Sequence, residues 1–523
     1  MLRRFLRAVF LLLAALLLSC ALLIYIPLPD PPAPQPVPAT QQGRLILDHV
    51  RILDTRTGTI SPPQAIWLEQ GKISRITPAN VAKASVPQFQ YQDGAGAIVI
   101  PGLWDNHTHS MQLSPQIHHP LFLAYGVTYL RDMSGCMIEH DTLQACATVR
   151  ARWQQEAQAG QRSSPFYPEQ SSFALNGGSE VPAGFPSFLQ LRSAADAIAL
   201  AQHYQRLGVD TLKTYELLSP QQYQWLSQAA ADAGMKLAGH QPWRVSLAEL
   251  IAARQHSVEH GRVFLFECSA VAMTLKQQQM RRGLVNADVW RQIIDSQDPA
   301  LCQQKMADMA AAGLWWSPTL LTLQLGARAG DPAFRQDPRL AQVPWVLRQL
   351  WQGDADGMLQ RGRDQHGHWV HQDMLALAQQ QLYQAVQLGV GVIAGTDSPD
   401  SFVFSGSGLI DELQLYVEAG LTPLQALQTA TLWPAQAAGR LDSAGSVEVG
   451  KEANLVLLNA DPLQDIQALR QVQGLVLAGH WYDKSALTAL EAFSTEQAGS
   501  IQLNLQLAWS ALRSAPFRQQ FAD

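Results

Sequence analysis

Between residues 100 and 440 the chain alternates short apolar runs with longer stretches of helical periodicity, and that alternation leaves few folds open. Repeated strand–helix units place their strands parallel, and a parallel sheet has to be covered on both faces. Eight runs can be picked out. They are 97–103, which leads on to 109, then 126–131, 172–175, 209–215, 235–240, 257–260, 314–320 and 390–397. Eight such units fit a (β/α)8 TIM barrel, whose functional groups gather at the C-terminal ends of the strands. With 523 residues, 47% of them hydrophobic, the chain can supply that barrel and a smaller domain besides.

What stands at those strand ends narrows the reading. His107 and His109 are separated by one residue, so in an extended strand both point to the same face. Two converging imidazoles make half of a zinc-type site. Lys213, His240, His260 and Asp397 close the fourth, fifth, sixth and eighth runs. Each of these is ordinary alone, because a single buried histidine is usually a hydrogen-bonded core residue.

Taken together they form a pattern. The stretch Ile98-Val-Ile-Pro-Gly-Leu-Trp-Asp-Asn-His-Thr-His109 resembles the first barrel strand of the amidohydrolase superfamily, which carries Pro-Gly-Leu-x-Asp-x-His-x-His there. The resemblance spans roughly residues 45 to 485 and finds the other four residues in the expected order. It implies that His107, His109 and Asp397 hold one zinc ion, that His240 and His260 hold another, and that Lys213 bridges both. An ammonium has no lone pair to give a metal, so that bridge requires Lys213 to be carboxylated to a carbamate. An unmodified Lys213 beside a single metal stays open.

The implied reaction is hydrolysis of an amide, either a cyclic amide, an N-acyl amino acid or an Xaa-Pro type dipeptide, by a metal-bridging hydroxide with Asp397 as general base. His240-Gln-Pro-Trp-Arg-Val-Ser, followed by Ser257-Val-Glu-His260, is similar to the imidazolonepropionase and Xaa-Pro dipeptidase branch of that superfamily. Two alternatives remain. One is a mononuclear deaminase or lactonase on the same fold; the other is a non-catalytic, metal-bound binding protein at a membrane surface. Tyr215, Asn176 and Arg244 are candidates for contacting a small-molecule substrate, and for each a structural role is equally open. Asp364, His366, His368 and His371 also have metal-like spacing, but in a polar insertion they read as a solvated helix start.

The flanks complete the organisation. Residues 44–99 contain short strands that cannot make a core alone, and their partners are expected in 440–485. The resemblance implies that these two segments build a small β-sandwich domain beside the barrel at 100–439. Residues 486–523 read as a helical tail, apolar at helical spacing over 503–512, that packs on the barrel or on another subunit of a homo-oligomer. Residues 1–43 begin with Arg3, Arg4 and Arg7, and then run uncharged and apolar over 8–26 before a proline-rich tether. That run is about long enough to anchor the chain in a membrane, with the body exported to the periplasmic or extracellular face. Lipidation at Cys20 is the competing reading of the same segment. Cys136, Cys146, Cys268 and Cys302 fall into two locally close pairs, which an oxidising compartment would allow to bond. The net charge of −6 carries no basic block, so a nucleic-acid partner is not expected.

Overall fold

The computed structural model describes residues 7, 11–15, 43–178, 180–279 and 286–522. Most of the apolar segment 8–26, Cys20 and the tether lie outside the described residues. Among the described residues no helix is long and apolar enough to cross a membrane.

The fold is mixed α/β, with two strand systems that meet at Gly102. The first takes strands from both ends of the chain. Strands β1 (Arg44–Ile52), β2 (Gln64–Glu69), β3 (Lys72–Pro78), β4 (Gln90–Asp93) and β5 (Ile98–Pro101) come from the N-terminal flank. The parallel strands of the second system follow: β6 (Leu103–Thr108), β7 (Val127–Asp132), β8 (Thr211–Thr214), β9 (Lys236–Gly239), β10 (Ser257–Glu259) and β11 (Trp315–Ser317). The C-terminal flank then returns β12 (Leu455–Leu458), β13 (Val472–Leu477) and β14 (His480–Asp483) to the first. The order in that sheet is β14-β13-β12-β5-β1-β2-β3, with β4 also paired to β1. β1 can serve three neighbours because it bends. Its register shifts between Leu47 and Val50, where His49 takes a positive φ of 53°, and its two halves pair β4 and β5 in turn. Leu45, Leu47, Val99, Leu455 and Leu457 bury their side chains in one cluster, so the two distant flanks share a core.

The apolar run 97–103 is therefore not one barrel strand. Its first part, β5, pairs β1 and β12, and only from Leu103 does the chain pair with β7. The break falls at Gly102, whose N–H donates to Asn454 O at 2.8 Å. A Cβ there would lie 2.0 Å from Thr128 Oγ1, so no larger residue fits the crossing.

In the second system β6 pairs β7, and β8 to β11 form a parallel four-stranded sheet. The expected third and eighth strands are extended segments joined by isolated bridges instead of ladders. Tyr129 bridges Phe166, Ser171 bridges Thr211, Trp316 bridges Val392 and Thr108 bridges Ser398, all parallel. Pro165 and Pro168 lack the N–H groups that a ladder needs. Gly391 and Gly395 let neighbouring strands approach closely: a Cβ on Gly395 would stand 2.7 Å from His107 N.

The helices Arg262–Glu267 and Pro299–Ala312 are tied by a disulfide between Cys268 and Cys302, and Cys136 is bonded to Cys146 in the segment after β7. Helix Pro423–Thr429 starts with a capping box between Thr422 and Gln425. In the tail, helix Ile501–Arg513 buries Leu503 and Leu507 against Leu113, Ile117 and Leu143 of its own chain. One expectation is corrected here. Asp364 does not open a solvated helix: its side chain is fully buried, it accepts from His366 N and His368 N at 2.9 Å, and it is paired with Arg291. The helix begins only at Val370, because Asp364 is spent holding the turn before it.

Candidate metal centre

The strand ends deliver their side chains by leaving the strand abruptly. Gly239, His260, Thr319 and Asp397 all take positive φ, at 128°, 74°, 43° and 70°. Three of these are not glycine, and such strain concentrates at sites that packing over-determines. The turns swing His240, His260 and Asp397 towards His107 on β6 and His109 just beyond it.

Asp397 Oδ1 lies 3.2 Å from His107 Nε2 and 3.1 Å from His109 Nε2, and Oδ2 lies 3.7 Å from His260 Nδ1. His240 Nε2 and His260 Nε2 are 2.8 Å apart. Ligand atoms of His107, His260 and Asp397 all lie within 4.8 Å of one another, the spacing of a cation site. Lys213, 2% exposed at the end of β8, places Nζ 5.9 Å from the centre of the Tyr215 ring.

A supporting layer fixes these side chains. His107 Nδ1 donates to Glu259 Oε2 at 2.9 Å, which leaves Nε2 for a metal. Glu259 is in turn gripped by Arg131 through two hydrogen bonds of 2.8 Å and by Ser257 Oγ at 2.6 Å. His260 Nδ1 is held by Thr319 Oγ1 at 2.8 Å, and His240 Nδ1 faces Glu216 Oε1 at 3.6 Å.

The charges follow from this packing. Burial works against ionisation of Glu259, yet Arg131 and His107 bring its pKa down to about 2. Burial lowers His240 to about 4 against the pull of Glu216. It takes His260 well below the usual range, helped by His240. Burial also lowers the Lys213 amine, against Asp397 and Glu259. Asp397 resists burial and stays well below the usual carboxylate range because His107 and His109 face it. The donor set thus offers an ionised carboxylate and three imidazoles, His109, His240 and His260, that burial lowers; at His107 burial is outweighed by Asp397 and Glu259, which raise its pKa, so a metal there would displace the Nε2 proton. Two Nε2 atoms at 2.8 Å cannot both carry protons, so His240 and His260 need a shared proton or a cation between them. The residues present fit zinc.

Of the substrate-contact candidates, Tyr215 packs its ring on His240, with centroids 4.2 Å apart. Asn176 is buried, and its Oδ1 accepts from Leu217 N at 2.7 Å, holding the turn after β8. Arg244 is exposed and lies outside the pocket, because the chain has left β9 by then and Trp243 takes the inward place. Sequence reasoning passed over Glu216, Glu259, Arg262 and Lys276, which line that pocket with His240 and His260. Glu259 had a signal, since it sits between the strand core at Val258 and a candidate ligand. The other three follow strand ends with no period to mark them.

The sequence profile of the Amidohydrolase family matches residues 335–482, the stretch that holds Asp397. The chain is 24% identical over 404 residues to imidazolonepropionase from Geobacillus kaustophilus (strain HTA426), covering 76% of this chain and 83% of that protein. Both matches support placing the chain in the amidohydrolase superfamily. Solved amidohydrolase structures share its fold. A Xaa-Pro dipeptidase with bound methionine superposes with a TM-score of 0.59 at 18% identity, covering 84% of this chain and all of that one. Bottromycin amidohydrolase superposes at 0.65 with 20% identity, covering 87% and 91%. A shorter match, 34% identity over 65 residues and 12% of this chain, is to adenine deaminase 2 of Bradyrhizobium sp. (strain ORS 278).

Proposed function

We propose that this amidohydrolase cleaves the amide bond of an N-acyl amino acid or Xaa-Pro type dipeptide, using two zinc ions held at the ends of a (β/α)8 barrel. The parallel bridges that link 166–175 and 392–398 to their neighbours support the barrel. His107, His109 and Asp397 would hold one ion, His240 and His260 the other, and Lys213 both. For that role the neutral Lys213 amine adds carbon dioxide and loses a proton, becoming a carbamate, which its buried setting favours. Bound zinc supplies an acidified water and polarises the scissile carbonyl.

The chain's own residues do the rest. Asp397 Oδ1 faces the Nε2 atoms of His107 and His109 and would hold the ion with them, so Oδ2 is the atom that takes the proton from the attacking water and passes it to the leaving nitrogen. Glu259, locked by Arg131, keeps the His107 proton on Nδ1. Tyr215 closes over His240 and limits where the substrate can lie. The observation that carries this reading is the convergence of His107, His109 and His260 on the carboxylate of Asp397. The two disulfides favour an exported body, and segment 8–26 would then serve as its membrane anchor.

Metal content per chain, measured on protein purified without chelators, tests the proposal alongside Lys213→Ala. Two zinc ions in the parent, fewer in the variant, and hydrolysis of N-acyl amino acids or Xaa-Pro dipeptides are expected. One ion unaffected by the variant would point to the mononuclear deaminase or lactonase chemistry.

A further inference from the structure

In the pocket beside the metal centre His240 and His260 share the wall with Trp243, Arg262, Phe266 and Lys276. Most of the charges around it are already matched. Glu259 is bound by Arg131, and Glu216 faces His240 at 3.6 Å and Arg262 at 3.9 Å.

Lys276 is the exception. It is 4% exposed on helix Ala272–Gln279, and among the described residues no carboxylate oxygen stands within 4.0 Å of its Nζ. Glu267, whose field favours the charge, is committed elsewhere: it pairs with Lys305 at 3.2 Å and accepts from Leu247 N at 3.2 Å. Nζ instead lies 4.2 Å from the centre of the Phe266 ring and 5.8 Å from that of Trp243. An ammonium laid over two aromatic faces has given up most of its water without gaining a counter-ion. An arriving anion restores what burial removed, and forms a charge-assisted hydrogen bond in a dry setting. Burial lowers this amine to about 8, so most of it is charged at neutral pH.

We propose that Lys276, cradled by Phe266 and Trp243, binds the carboxylate on the amine side of the substrate while the amide faces His240 and His260. The inference rests on the amide-hydrolase reading and deepens it: it assigns to Lys276 the recognition of the free carboxylate that an N-acyl amino acid or dipeptide carries on its amine side. Arg262 stays with Glu216, and Lys276 alone decides between acid and neutral analogue.

Calorimetric binding of N-acetyl-L-leucine and N-acetyl-L-leucinamide to the full zinc-loaded chain tests this. The acid is expected to bind at least tenfold tighter than the amide; Lys276→Gln should erase that preference by weakening the acid alone, and Lys276→Arg should restore part of it. Equal affinity of the parent for the two probes, or equal weakening of both in Lys276→Gln, would overturn the assignment. The comparison within the parent needs no variant to fold. If the acid binds through Lys276 and no amide is ever cleaved, the assignment stands and the reaction falls. If amides are cleaved with no preference for a carboxylate, the reaction stands and the assignment falls.

Discussion

His240 and His260 turn their Nε2 atoms towards each other at 2.8 Å, although they end different strands and lie 20 residues apart in sequence. Burial keeps both below the usual histidine range. The pair has no surplus of protons, and a cation placed between the rings satisfies both lone pairs at once.

Acid should therefore weaken the metal-free protein. His240 titrates near 4 when folded and near 6.5 when unfolded, so the unfolded chain binds the extra proton in between. The sign is a loss of stability as pH falls from about 6.5 to about 4, worth up to about 3 kcal/mol. Urea denaturation of chelated protein across that window should show the slope, and His240→Asn should flatten it.

Replacing Glu259 by Gln keeps the shape and removes the charge. His107 loses the charged acceptor that fixes its tautomer, and metal affinity should drop by about 10–100-fold in a competition titration with a chelating dye. Arg131 also loses its buried partner, which should cost about 3 kcal/mol of folding free energy. Glu259 is the opposite case to His240. Its folded value near 2 lies below the ordinary 4.5, so its contribution is complete above about 4.5 and disappears as pH falls towards 2.

Asn176 and Arg244 should separate cleanly. Asn176→Ala removes the acceptor for Leu217 N and should cost about 1–2 kcal/mol in thermal or urea unfolding. Arg244→Ala, at an exposed position, should change stability by less than about 0.5 kcal/mol. Its kcat/KM should stay within about twofold of the parent's, because no contact with the reacting groups is lost.

The disulfide between Cys268 and Cys302 spans 34 residues. Loop-closure entropy gives it about 4 kcal/mol. Reduction, or paired Cys→Ser substitution, should lower Tm accordingly, and the effect should reach the metal centre, since helix Arg262–Glu267 follows directly on His260.

Much of the centre could be read from the chain because strand geometry is periodic. His107 and His109 had to share a face, and five of the expected strands appear as regular parallel strands after β6. Periodicity failed where the backbone left the strand. His240 is followed by a turn, so nothing in the sequence says that Trp243 faces the pocket and Arg244 faces water. Glu259 and His260 are neighbours that should point to opposite sides, yet a φ of 74° at His260 brings both to the same centre. Asp364 looked solvated because its partner, Arg291, lies 73 residues earlier. Lys276 could not be found at all from sequence, since the short helix Ala272–Gln279 has no apolar stripe and gives a lysine no reason to be inside.

The crossing at Gly102 also places β5 between strands that lie far apart in the chain. β5 is flanked by β1, which precedes it, and by β12, which begins at Leu455. The peptide carrying His107 and His109 is thus flanked on one side by a strand that precedes it, and on the other by one that follows every parallel strand of the second system. Until Leu455–Leu458 docks, that sheet keeps an open edge on which strand exchange between chains would compete with correct closure.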